Sequence, residues 1–94
     1  MGANYSEIQE LLQQRADYQA RLNLIPYDGN PEIKEQNGSK YLYVRKRVAG
    51  KLTSTYVDVY SDELYQFLLR NAKESRELNK AIRKINKELA ILGY

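Results

Sequence analysis

The chain has 94 residues, a formal net charge of +3, no cysteine and no histidine. That length supports one small domain with a thin core. The composition excludes disulfides, Cys/His zinc centres and histidine general-base catalysis. No apolar run approaches the roughly 18 residues of a membrane span, and the N-terminus lacks the apolar core of a signal peptide. The chain reads as cytoplasmic, without a membrane partner, metal or cofactor.

In chain order, the first element is a helix over about 4–24. Ile8, Leu11, Tyr18, Leu22 and Ile25 recur at a three-to-four spacing, with Arg15 as a polar intruder. Asn4 and Glu7 fit a capping box. Pro26 ends the helix, because the residue before a proline avoids the helical region. Tyr27-Asp28-Gly29-Asn30-Pro31 is a turn-rich connector.

Strands are expected over about 32–36, 39–48 and 51–60. Asn37-Gly38 favours a type I′ turn, which sets Ile33 opposite Leu42 and Glu35 opposite Lys40. A second turn near Ala49-Gly50 sets Val44 opposite Thr55, Leu42 opposite Val57 and Tyr43 opposite Tyr56. A bulge at that second turn would move the register by one. In the simple register, one face of this three-stranded antiparallel meander carries Ile33, Leu42, Val44, Val48, Val57 and Val59 and packs on a helix. The other carries Lys34, Tyr41, Tyr43, Arg45, Arg47, Ser54, Tyr56 and Tyr60. Asp58 is expected across from Tyr41.

Ser61 is a natural N-cap for a second helix over about 62–92, with Asp62 and Glu63 favourably placed on its dipole. Its seam runs Leu64, Leu68, Asn71, Ser75, Leu78, Ile82, Ile85, Leu89 and Leu92, alternating four and three. The two polar positions in the middle suggest a break near Asn71. Gly93 stops the helix. The fold class is therefore α+β: a helix, a meander, and a long helix that forms an antiparallel helical hairpin with the first. The first helix is too short to cover the second, so Ile82 to Leu92 calls for a partner, most simply a homodimer through the long helix.

Charge is unevenly placed. Residues 1–39 hold six acids and three bases, residues 40–57 five bases and no acid, and residues 58–94 six acids and seven bases. A locally cationic segment points to an anionic partner. Lys34, Tyr41, Tyr43, Arg45, Arg47 and Tyr56, with Lys46 and Lys51 at the tip, form the candidate binding set. Cations neutralise phosphate, and tyrosine rings stack on bases. The plainer account is that tyrosine and arginine suit an exposed sheet face. A second basic cluster, Lys80, Arg83, Lys84 and Lys87, is more simply a solvated helix face paired with Glu77 and Glu88. No phosphate loop, nucleophile elbow or metalloprotease motif occurs, so a non-enzymatic binding module is expected. Its partner is nucleic acid, or alternatively a protein.

The run from Lys40 to Tyr94, with the preceding Leu24 to Gly38, resembles a small bacterial module that precedes Fic-type, AMP-transferring domains. The catalytic His-Pro-Phe and Gly-Asn-Gly-Arg elements of those domains are absent. Ser6 to Glu10 approaches the inhibitory Ser/Thr-x-x-x-Glu pattern, but Leu11 stands where that pattern has Gly or Asn. The resemblance implies an accessory, regulatory role. The meander-plus-helix portion is also similar to the arm-binding domains of phage-type integrases, which implies DNA binding by the sheet. A mobile-element inhibitor of a nucleic-acid-binding protein is a further version of the protein-interaction reading.

Overall fold

The computed structural model describes residues 2–94, with side chains from residue 4 onward. Five elements follow in order: α1 (Gly2–Asn23), β1 (Asn30–Gln36), β2 (Ser39–Val48), β3 (Lys51–Val59) and α2 (Asp62–Ile91). The strands form an antiparallel sheet in the order β1-β2-β3. The α+β architecture expected from the pattern is the one adopted.

Local chemistry accounts for most boundaries. Asn37 and Gly38 both take positive φ, 52° and 79°, and so do Ala49 and Gly50, at 51° and 80°. Each hairpin therefore closes on a two-residue type I′ turn, whose twist matches that of the strands. The Ser61 side chain accepts a hydrogen bond from the Leu64 backbone N–H at 3.1 Å, capping α2 as its sequence implied. At the other end Gly93 has φ 83°. The Tyr94 N–H reaches the Leu89 carbonyl at 2.9 Å and the Gly93 N–H reaches Ala90 at 3.1 Å, which is a Schellman ending. The start of α1 differs from expectation. The helix begins at Gly2, so Asn4 lies inside its first turn and is not a cap. α2 is likewise one continuous helix of 30 residues, unbroken at Asn71.

The chain divides into two compact units. The first comprises α1, Leu24 and Arg76–Tyr94, a helical hairpin. Its interior takes Leu78, Ile85 and Leu89, all buried within the single chain. Arg15 is half-buried in this unit, and its guanidinium donates to Asn86 Oδ1 at 2.8 Å. The polar intruder of α1 thus has a cross-helix partner.

The second unit, Ile25–Ser75, holds the sheet and the first half of α2. Its core is Leu42, Val44 and Leu68, with Val57, Tyr60, Leu64 and Tyr65 packed around them. Asn71 and Ser75 are buried as well. Asn71 Nδ2 donates to the Pro26 carbonyl at 2.7 Å. The polar gap in the seam is therefore the place where the connector's backbone meets α2. Three residues on, Gly29 lies so close to β2 that a Cβ there would stand 2.5 Å from the Arg45 carbonyl oxygen. Asp28 grips the next residue, accepting from Lys46 Nζ at 2.9 Å. The connector is thus pinned to the helix at Pro26 and to the sheet at Asp28 and Gly29.

Register departs from expectation in β3. Tyr43 pairs with Tyr56, Val44 with Thr55 and Ile33 with Leu42, as read from the sequence. Leu42, however, lies across from Asp58, and Tyr41 across from Val59, because β3 carries a bulge opposite the Leu42/Tyr43 step. One extra residue reverses the side-chain alternation beyond it. Val59, expected on the packed face, is consequently 55% exposed and shares the face of Tyr41. Tyr60, expected on the tyrosine face, instead packs against the core. Its backbone N–H donates to Lys40 O and its hydroxyl donates to Asp62. Val48 and Ile33 were also expected on the packed face, but they are 51% and 44% exposed. Within β2 the core cluster takes Leu42 and Val44, so Val48 lies beyond it.

Candidate functional site: a tyrosine face and a cationic arm

Past Val44 the β2–β3 hairpin is exposed on both faces, every residue from Arg45 to Tyr56 included. The structure therefore converts half of a sheet into a projecting two-stranded arm. It carries Arg45, Lys46, Arg47 and Lys51 and no acid.

At the base of the arm three phenols meet. Tyr43 and Tyr56 are cross-strand partners with ring centroids 5.4 Å apart and planes at 72°. Tyr41 stands 6.3 Å from Tyr56. Edge-to-face pairs of this kind contribute about 0.5–1.5 kcal/mol beyond the area they bury. Lys34, from β1, extends across the cluster. Its ammonium lies 4.3 Å from the Tyr43 ring centre, 3.4 Å from Ser54 Oγ and 3.7 Å from Glu32. Glu32 also accepts from Arg45 Nε at 3.1 Å. Partial desolvation, the field of Asp58 and the neighbouring phenols Tyr41 and Tyr43 push the Tyr56 hydroxyl above the ordinary tyrosine value. The residue is 49% exposed, so it presents a neutral aromatic side chain to solvent at neutral pH.

The eight candidate residues divide into two sets. Lys34, Tyr41, Tyr43, Arg45 and Tyr56 converge on one face. Arg47 continues that face to the tip, where its guanidinium donates to the Gly50 carbonyl at 3.1 Å. Lys46 and Lys51 lie on the opposite face by strand alternation, opposite Thr53 and Val48 respectively. Lys46 is held by Asp28. Sequence reasoning missed the two acids that complete the site, Asp28 and Glu32. The signal for Glu32 was present: it falls opposite Tyr43 in the register that Asn37-Gly38 sets. Asp28 had none, because its position depends on the close approach at Gly29.

Other surfaces offer less chemistry. A groove of about 430 Å³ in the helical hairpin is lined by Glu7, Glu10, Glu88, Leu11 and Leu92 among others. It is acidic and apolar, opposite in character to the arm. Among the described residues no cluster of three or more potential metal ligands occurs, and no helix is long and apolar enough to cross a membrane.

The sequence profile of a family described as "Domain of unknown function (DUF6788)" matches residues 5–66. The chain belongs to this family. The matched region contains α1 from Tyr5 onward, the whole sheet and the capped start of α2, so every candidate site residue falls within it. No curated protein and no solved structure matches the chain.

Proposed function

We propose that this chain is a non-enzymatic binding module that engages nucleic acid through the tyrosine face and the cationic arm. One observation carries the reading: within the acid-free segment 40–57, the stretch from Arg45 to Tyr56 projects as a hairpin exposed on both faces. A two-stranded ribbon has the dimensions to enter a major groove, and its cations would reach phosphates on either side. The Arg45–Glu32 and Lys46–Asp28 pairs do not oppose this. Exposed ion pairs contribute only about 0–1 kcal/mol, so a phosphate can displace the carboxylate. Tyr56, neutral and half-exposed, would supply a stacking surface.

A protein-interaction role is the second reading, favoured by the exposed Val48 and Leu52 near the arm's tip. In this version the module serves a Fic-type enzyme or inhibits a nucleic-acid-binding protein. A homodimer through the long helix is less supported, since Leu78, Ile85 and Leu89 are already buried within one chain.

Fluorescence anisotropy with duplex and single-stranded oligonucleotides over a salt series tests the proposal. Duplex affinity should fall with a log–log slope of about −0.9 per phosphate neutralised. Arg47→Ala or Lys51→Ala should each reduce that slope by about one. Absence of binding, or binding insensitive to salt and to both substitutions, overturns it.

A further inference from the structure

The two edges of the sheet are unlike. β1 carries Pro31, which lacks a donor, together with Glu32, Lys34 and Glu35. These are the usual protections of an edge against strand addition. β3 has none of them from Leu52 to Tyr56: no proline, no charge, and no bulge before Val57.

The type I′ turn at Ala49-Gly50 closes the hairpin on the Val48·Lys51 pair. Hydrogen-bonded and non-hydrogen-bonded pairs alternate along an antiparallel ladder. Lys51, Thr53 and Thr55 therefore bond to β2, while Leu52, Ser54 and Tyr56 turn their N–H and C=O groups outward. Those same three residues place their side chains on the tyrosine face. Leu52 and Tyr56 are 53% and 49% exposed.

The segment Leu52-Thr53-Ser54-Thr55-Tyr56 is self-complementary about Ser54. A two-fold axis there would set Ser54 beside its copy, Leu52 beside Tyr56 and Thr53 beside Thr55. A two-fold pair of antiparallel strands demands this kind of symmetric match. All three outward-facing residues would fall in hydrogen-bonded pairs. The two half-exposed apolar side chains would cover each other twice, and the paired residues Leu52 to Tyr56 bring no charges of their own to the seam. Lys51 would lie opposite Val57 of the copy, adjacent to its Asp58.

We propose that a second copy of this chain docks antiparallel on the β3 edge, centred on Ser54, to give a continuous six-stranded sheet. Both tyrosine faces then lie on the same side, because the axis is perpendicular to the sheet; entry of the two-stranded arm into a groove belongs to the monomer, so this dimer competes with it.

Sedimentation equilibrium over a dilution series, without nucleic acid, tests this. The wild-type chain should dimerise reversibly. Ser54→Pro removes an outward N–H that the chain's own sheet does not use, and Ser54→Lys places like charges on the axis. Both variants should be monomeric with unchanged circular dichroism. In the wild type, amide hydrogen exchange at Leu52, Ser54 and Tyr56 should slow as concentration rises. A wild-type chain monomeric at every concentration overturns the proposal. So does a dimer that survives Ser54→Lys, or one in which those three amides gain no protection. If Ser54→Pro fails to fold, Ser54→Lys and the exchange measurement still decide.

Discussion

Asn71→Leu would complete the apolar seam of α2 and, by pattern alone, should stabilise the protein. Leucine is also the better helix former, by up to about 0.7 kcal/mol, and burying its side chain is worth about 1.5–3 kcal/mol. The tertiary structure reverses the expectation. Asn71 donates to Pro26 O at 2.7 Å in a buried position. Its removal leaves that carbonyl unsatisfied, at about 1–3 kcal/mol. A larger, branched side chain pressed against the connector adds an overpacking cost of about 1–3 kcal/mol. Asparagine already fills part of the site, so only a fraction of leucine's burial is new. A net loss of about 1–2 kcal/mol follows, or a fall in Tm of roughly 4–16 °C for a domain of this size. Thermal and urea unfolding followed by circular dichroism would measure it, with faster amide exchange around Tyr27 as a local readout. A leucine variant as stable as the wild type, or more so, would refute the anchoring argument.

Gly29→Ala should destabilise by about 1–3 kcal/mol in urea unfolding, because its Cβ would press on the Arg45 backbone. Ala49→Asn should stabilise by a few tenths to about 1 kcal/mol, since Ala49 sits at φ 51° and asparagine tolerates that region better; an unchanged melting curve counts against the turn assignment. Tyr60, through its hydrogen bond to Asp62, and Tyr56, through desolvation, have raised folded-state values. Their contribution to stability is complete below the unfolded tyrosine value of about 10 and is lost as pH rises through the raised ones. Tyrosinate absorbance should show two phenols ionising late, and the two should titrate normally after unfolding. Glu32→Gln frees Arg45 and should tighten oligonucleotide binding while steepening its salt dependence; weaker binding would place Glu32 on the ligand side of the site.

Local chemistry was enough to determine the element order, both turns, the Ser61 cap and the Gly93 stop. Each depends on residues within a few positions of one another, so the sequence displays cause and effect together. The Tyr43–Tyr56 pairing was legible for the same reason, being counted outward from a two-residue turn. The tertiary structure decided what depends on contacts between distant segments. The bulge opposite Leu42 exchanges Val59 and Tyr60 between faces, and nothing in the alternation of β3 announces it. Asn71 reads as a weakness in the seam, but its amide holds the connector's backbone at Pro26. Gly29 looked like turn punctuation until the backbone of Arg45 proved to be its neighbour. Ile85 and Leu89, which the pattern leaves in need of a partner, are buried in the unit that α1 completes. Side-chain periodicity records which face is buried, whereas the identity of what buries it is a property of the folded chain.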